Sequence, residues 1–333
     1  MKLLVTGGLG YIGSHTVRAL LAAGDEVVIL DNSSTGHAWA AQDCEVLNVD
    51  LRDLKSLCAA LRSREFEGVI HFAAKSLVGK SREQPLLYYQ NNVAGTANLV
   101  EAMLTAGIPK LVFSSTAAIF GSPSSEKIDE AHPKVPINVY GRTKLVIEEM
   151  LEAVTASTDF SAVCLRYFNA AGASREGDIG EWHEPETHLI PNALRAASGV
   201  GPALTLFGND YPTPDGTCIR DYIHVEDLAD AHLRAIRQMP PKGFAAYNLG
   251  NGTGFSVKQI LAACEKAVGK PIPHTVGPRR EGDPATLVAS SSKAQRELGW
   301  TPKHTDIDEI VSTAWAWEQY RAMKFDGAQG TMR

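Results

Sequence analysis

The run Thr6-Gly7-Gly8-Leu9-Gly10-Tyr11-Ile12-Gly13 decides the fold. It follows the apolar Leu3-Leu4-Val5 and leads into a stretch with helical spacing. Glycines at 7, 10 and 13 let the backbone turn tightly and approach a pyrophosphate, while the following helix offers its free N–H groups and dipole to the anion. The spacing is G-x-x-G-x-x-G rather than G-x-G-x-x-G, so the glycines alone decide little. Asp31 supplies the second check, because it ends the next predicted strand 18 residues past Gly13. A carboxylate there accepts from an adenosine ribose 2′-OH and repels a 2′-phosphate, which favours NAD over NADP.

Working outward, short apolar runs alternate with amphipathic stretches. Strands are predicted at 2–6, 26–30, 45–49, 68–72, 110–114 and 162–166. Most are nearly continuous in apolar residues, as parallel strands covered on both faces require. Leu51, Leu54, Leu57 and Leu61 recur at helical spacing, and a long helix is predicted over 85–106. Gly24 and Gly107 fall where helices should end. This βαβα rhythm predicts an α/β fold, a doubly wound parallel sheet of the Rossmann type. Beyond Phe168 the texture changes. Residues 171–188 read as an irregular active-site loop, 209–216 as turns, and helices are expected near 189–198, 226–238, 256–268 and 306–320. The tail from Asp326 is expected to be disordered.

The chain has 333 residues and a net charge of −6, which argues against nucleic acid or an anionic membrane as a general partner. Cys44, Cys58, Cys164, Cys218 and Cys264 form no C-x-x-C pair and are odd in number, so reduced thiols are expected. No apolar run is long enough to span a bilayer, and no signal peptide is read at the start. A cytoplasmic protein is the expectation.

Tyr140-Gly-Arg-Thr-Lys144 places a phenol and an ammonium one turn apart. Ile147, Leu151 and Val154 continue that face, so the pair points inward. The strand at 110–114 runs into Ser115-Thr116, whose hydroxyl can join the phenol at one substrate oxygen. Free tyrosine has a pKa of about 10, and lowering it to about 7 needs roughly 4 kcal/mol of phenolate stabilisation. Lys144 together with a bound nicotinamide cation is expected to supply it, so that the phenolate takes a proton from an alcohol as hydride leaves. Tyr320 and Lys324 repeat the spacing but lack the hydroxyl-bearing strand end. They are read as a decoy.

These features resemble the extended short-chain dehydrogenase/reductases. TGGLGYIGSH (6–15), HFAAKSLVGKS (71–81), YYQNNVAGT (88–96), VYGRTKLVIEEM (139–150), LRYFNAAGA (165–173), HEPETHLIP (183–191), LFGNDYPTPDGTCIRDYIHVEDLADAH (206–232) and RREGDPA (279–285) narrow the likeness to the UDP-glucose 4-epimerase family. The resemblance implies reversible 4-epimerisation of UDP-glucose and UDP-galactose on tightly held NAD, through a 4-keto sugar, in galactose metabolism. It implies an NAD-binding Rossmann domain over 1–168 with a return segment near 222–250, and a smaller α/β UDP-sugar lobe over 169–333. Tyr140, Lys144 and Thr116 are the implied catalytic group. Gly7, Gly10, Tyr11, Ile12, Gly13, Asp31, Asn32, Asp50, Leu51, Phe72, Ala73, Asn91, Tyr140, Lys144 and Phe168 match the cofactor contacts. Thr116, Tyr140, Asn169, His188, Leu189, Thr205, Phe207, Arg220, Arg280, Asp283 and Leu287 match the nucleotide-sugar positions. Arg220 and Arg280 suit a pyrophosphate, since a guanidinium fork fits its oxygens; the competing reading is a surface ion pair with a neighbouring Asp.

Departures from the family pattern are specific. Ser76 stands where some members carry a lysine beside the nicotinamide, with Lys75 one place earlier. Gly36 replaces a hydroxyl residue, and Leu287 stands where bulk limits the sugar 2-substituent. A leucine there leaves N-acetylated sugars open, so dual UDP-hexose/UDP-N-acetylhexosamine or UDP-pentose epimerisation is the alternative. A 4,6-dehydratase needs acids after the Thr, where Ala117-Ala118 stand. A non-catalytic NAD-sensing protein would not need Tyr140, Lys144 and Thr116 together. Asp178, Glu181, His183, Glu184, Glu186 and His188 are expected to form a solvated loop or lid rather than a metal site, since Pro185 breaks any helical His spacing. A homodimer through the 85–106 and Tyr140 helices is expected.

Overall fold

The computed structural model describes residues 1–62, 64–123, 127–280 and 283–326. Its strands are β1 (Lys2–Thr6), β2 (Glu26–Leu30), β3 (Glu45–Leu47), β4 (Gly68–His71), β5 (Lys110–Thr116), β6 (Ser161–Tyr167), β7 (Asn169–Ala171), β8 (Leu204–Phe207), β9 (Ile219–Arg220), β10 (Tyr222–His224), β11 (Gly243–Leu249), β12 (Phe255–Ser256), β13 (His274–Gly277) and β14 (Thr286–Leu287). The helices are α1 (Tyr11–Ala22), α2 (Leu54–Arg62), α3 (Val78–Glu83), α4 (Pro85–Tyr88), α5 (Gly95–Ala106), α6 (Val139–Ser157), α7 (Leu189–Ser198), α8 (Val225–Gln238), α9 (Val257–Val268), α10 (Ser292–Leu298) and α11 (Ile307–Arg321).

Seven strands form one parallel sheet in the order β11-β6-β5-β4-β1-β2-β3. The expected doubly wound sheet is therefore present, and its order reverses direction at β1, where the glycine loop stands. Side chains alternate between its faces. Leu3 and Val5 join the core under α1 and α8, whereas Leu4 joins Leu99, Met103, Ile147 and Leu151 on the other side. β11 comes from the return segment and pairs with β6 from Gly243↔Ser161 to Leu249↔Tyr167. The later chain folds its own core around α7, α9 and α11, with Ile190, Leu194, Ile260, Ile310 and Val311 buried together.

Several boundaries differ from the sequence reading. β3 ends at Leu47 and β4 at His71, whereas β5 runs on to Thr116 and β6 spans Ser161–Tyr167. The extension of β5 matters, because it carries Ser115 and Thr116 on the strand instead of just past it. The stretch 85–106 is not one regular helix: a π-helical segment, Tyr89–Ala94, separates α4 from α5. Such an insertion re-aims a side chain, and here Asn92 is buried and braces the backbone of Lys75 through both its amide atoms. Leu51 lies buried in the turn before α2 rather than within the helix. Gly24 and Gly107 end helices in the left-handed region, at φ 82° and 72°. A π-helical turn, Ala322–Asp326, extends α11, so the chain is still helical at the start of the expected disordered tail; residues 327–333 lie outside the described residues. The five cysteines are free thiols.

Candidate active site

The glycine loop is packed so closely that side chains are excluded. A Cβ on Gly13 would stand 2.2 Å from the Gly7 carbonyl oxygen, and one on Gly7 would stand 2.6 Å from the Ala73 nitrogen. Gly7 also sits at φ 73°. Gly10 caps α1, no side chain caps that end, and no acid lies in the first turn. The helix N–H groups are thus left for an external anion. Phe72 and Ala73 donate their amides to Thr6 O, which holds them against the loop. Asp31 ends β2 with its carboxylate accepting from the amides of Ser33 and Leu9 at 2.8 and 3.2 Å. Burial pushes its pKa up, against those two hydrogen bonds. Asn32 donates to Asp50, whose carboxyl is held well below the usual range by Arg52. Asn91 donates to Asn92, and Ile12 packs against the sheet core. The Tyr11 hydroxyl is committed to Gly172 O at 2.6 Å, so this residue offers its backbone to the loop while its ring ties the loop to the chain after β7. Gly36 is explained as well: a Cβ there would lie 2.6 Å from Leu9 Cβ.

Asn138 caps α6 by accepting from Gly141 N, and Ser81 Oγ accepts from Tyr140 N. This fixes the helix end that presents the tyrosine. Lys144 is 2% exposed; its ammonium donates to Ser114 O at 2.7 Å and lies 5.9 Å from the centre of the Tyr140 ring. Burial lowers its pKa to about 7. Burial raises Tyr140 to about 12, opposed by a side-chain hydrogen bond with Thr116. The expected depression of the phenol to about 7 is therefore absent from the protein groups alone. The physical reason is that desolvation outweighs the Thr116 hydrogen bond, while the same burial disfavours the charge on Lys144.

Sequence reasoning missed the layer beneath. Glu148 is buried one turn past Lys144, accepts from Ser115 Oγ at 2.6 Å, and forms a paired contact with buried Arg166 at 2.6 Å. Tyr167 hydrogen-bonds Ser114. The 140, 144, 148 spacing was the available signal for Glu148. The decoy behaves differently: Lys324 Nζ donates to Tyr320 OH at 2.7 Å, in an exposed setting away from any strand end.

The remaining predicted residues gather in the later chain. β9, β12 and β14 form a small sheet in which Leu287 is in register with Arg220. Arg220 pairs with Asp283, so the ion-pair reading and the pairing of two expected ligands coincide. Arg280 instead stacks on Phe207 at 4.1 Å, and Thr205 shares β8 with that ring. Glu281 and Gly282 of the 279–285 motif lie outside the described residues. Asn169 is held by Asp221 O, while Phe168 and Leu287 pack on one apolar cluster with Ala117 and Leu145. Leu189 opens α7 with His188 at its N-cap.

The 178–188 run departs from the expectation of a solvated loop. Glu181, His183, Glu186 and His188 converge, and the side chains of Glu181 and Glu186 are only 7% and 3% exposed. Asp178 turns away to a two-pronged pair with Arg18 at 2.7 and 2.8 Å, and exposed Glu184 accepts from the Trp182 indole. A loop sequence hides this convergence, because it depends on how the backbone doubles back.

Comparison with known proteins follows the same lines. The model of the NAD dependent epimerase/dehydratase family matches residues 3–250. A UDP-glucose 4-epimerase of Halalkalibacterium halodurans is 50% identical over 320 residues, covering 96% of each chain. A UDP-glucose 4-epimerase of Bifidobacterium longum, solved with NAD+ and UDP, superposes with a TM-score of 0.93 at 36% identity, covering 98% of this chain and all of the other (100%). That of Brucella ovis, solved with NAD, gives 0.91 at 43% identity over 94% of this chain and 97% of the other.

Proposed function

The chain belongs to the NAD dependent epimerase/dehydratase family, and from that premise we propose that it interconverts UDP-glucose and UDP-galactose by inverting C4′ of the sugar. The observation that carries this reading is the meeting of Thr116, Tyr140 and Lys144 at the end of β5. NAD, when bound, supplies the acceptor and then the donor of the C4′ hydride. The loop at Gly7–Gly13 fits its pyrophosphate, because the loop is side-chain-free and the end of α1 is uncapped. Asp31 faces its adenosine ribose. Asn32, Asp50, Leu51, Phe72, Ala73, Asn91 and Phe168 complete the assigned cofactor surface.

Tyr140 removes the 4′-OH proton, keeps it while the sugar is a ketone, and returns it after the sugar has turned its other face. Thr116 hydrogen-bonds the same sugar oxygen. Lys144 favours the phenolate electrostatically and holds the cofactor ribose. Arg220 and Arg280 receive the UDP pyrophosphate, with Asn169, His188, Leu189, Thr205, Phe207, Asp283 and Leu287 around the nucleotide sugar. Ala117-Ala118 behind Thr116 provide no acid for water elimination, which disfavours dehydration. The protein works in the cytoplasm, in galactose metabolism, as a homodimer. Supporting the dimer, Leu86, Tyr89 and Leu104 of the α4–α5 stretch are 68, 38 and 42% exposed. Among the described residues no helix is long and apolar enough to cross a membrane.

Purified protein given UDP-galactose is the test. Formation of UDP-glucose without net NADH release is expected. Steady accumulation of NADH in solution would overturn the reading.

A further inference from the structure

We propose that Glu181, His183, Glu186 and His188 bind one divalent transition-metal ion, with zinc the best fit, between β7 and α7. Each side chain offers one ligand atom, and these atoms all lie within 4.8 Å of one another. His183 Nδ1 is 3.1 Å from Glu181 Oε1 and 3.7 Å from Glu186 Oε2, and His188 Nδ1 is 3.9 Å from Glu186 Oε1. A tetrahedral zinc with bonds of about 2.0–2.1 Å separates its ligands by about 3.3 Å. The two His183 spacings bracket that edge, whereas His188 Nδ1 lies closer than it to Glu181 Oε1 and separates from that oxygen when both ligate an ion.

One oxygen of the cluster accepts no hydrogen bond without an ion. Both histidines direct Nδ1 to the same oxygen, Glu181 Oε1. Glu186 Oε2 is buried with no hydrogen-bond partner, on a side chain 3% exposed. A buried carboxylate oxygen that accepts no hydrogen bond is costly, and its nearest cationic group, His183 Nδ1, stands 3.7 Å away. A dication accepts all four groups at once, gives that oxygen a bond, and is neutralised by the two carboxylates. Two imidazoles with two carboxylates suit zinc better than calcium or magnesium, which prefer all-oxygen shells.

The surroundings are organised as a metal site requires. Glu186 Oε1 accepts from the amides of Thr187 and His188, which orients the carboxylate. The Glu181 carbonyl accepts from the Trp317 indole, and Gly180 lies flat on that ring, where a Cβ would come within 2.4 Å of Cγ. The ring of Tyr11, anchored on the cofactor loop, meets His183 edge-on at 6.4 Å. The ion would therefore hold the 181–188 strap together at the start of α7, with the Tyr11 ring against one ligand. It takes no part in the C4′ proton and hydride transfers, but one of its ligands, His188, is also placed beside the nucleotide sugar, so its presence is tested by metal binding and not by activity.

The full chain is stripped with a chelator, dialysed against zinc chloride and then buffer, and its metal measured by plasma mass spectrometry. About one zinc per chain is expected, together with a visible absorption band of tetrahedral type when cobalt is substituted. Glu186→Gln keeps the side-chain shape and is expected to weaken zinc binding at least about tenfold, as is His183→Ala. Zinc should raise the melting temperature of the parent more than that of either variant. Less than about a tenth of an equivalent bound by the parent would overturn the proposal, as would Glu186→Gln binding as tightly as the parent. If His183→Ala does not fold, Glu186→Gln decides alone.

Discussion

Lys144 donates its ammonium to the Ser114 carbonyl oxygen at 2.7 Å, so the lysine of the Tyr–Lys pair is bolted to the strand that carries Thr116. This hydrogen bond, with that of Ser115 to Glu148, ties α6 to the end of β5. The phenol is tied to the Thr116 hydroxyl by its own hydrogen bond, so the three groups are brought to one strand end. The same burial makes both titratable groups resist charging, at about 12 for Tyr140 and about 7 for Lys144.

Tyr140→Phe removes the proposed base and leaves the α6 cap intact. Its kcat should fall by about 10²–10⁴-fold with the fold retained. Steady-state turnover and far-ultraviolet circular dichroism check this. Turnover within a few-fold of the parent would remove Tyr140 from the proton-transfer role.

Arg166→Met leaves Glu148 as an uncompensated buried charge beneath Ser115. Both side chains are at most 2% exposed, so a loss of about 3–5 kcal/mol is expected in urea unfolding. Adding Glu148→Gln should recover part of it, because the stranded charge is gone. No recovery would show that the cost lies in packing.

Gly13→Ala brings a methyl into the Gly7 carbonyl. The loop must open, so protein purified with this change should carry less than about a tenth of the parent's NAD, judged from the nucleotide released on acid denaturation, a loss of roughly 1.4 kcal/mol or more in binding. Full NAD content would mean that the loop shifts without consequence.

Acid lability follows from four buried imidazoles. Burial lowers His71 and His224 to about 3 and His15 and His232 to about 4. Their folded pKa values lie below the unfolded value of about 6.5, so the unfolded chain binds protons first. Stability is full above about pH 6.5 and falls as the pH drops toward the folded values. At pH 5 each contributes a loss of about 2 kcal/mol. Urea midpoints at pH 7 and pH 5 measure it, and His71→Asn should flatten the slope. Equal midpoints would refute the assignment.

Leu86→Glu with Leu104→Glu places two charges on the exposed apolar face of α4–α5. On the proposed dimer, sedimentation should then show monomer at micromolar concentration while the parent sediments as a dimer. A dimeric double variant would move the interface elsewhere.

The sequence alone determined the sheet and the cofactor loop. Nearly continuous apolar runs, glycines with forced geometry and a strand-ending Asp31 are local properties, each enforced within a few residues, and local sterics suffice to read them. The Tyr140–Lys144 pair was legible for the same reason, since one helical turn fixes it. Only the tertiary structure decided how that pair is charged, because burial is the sum of what the rest of the chain packs around it. Only the tertiary structure brought Glu148 to Arg166, Leu287 beside Arg220, and two glutamates to two histidines across a proline-broken loop. Those meetings depend on where β6, β14 and the 181–188 strap arrive in space, and residue spacing carries no record of that.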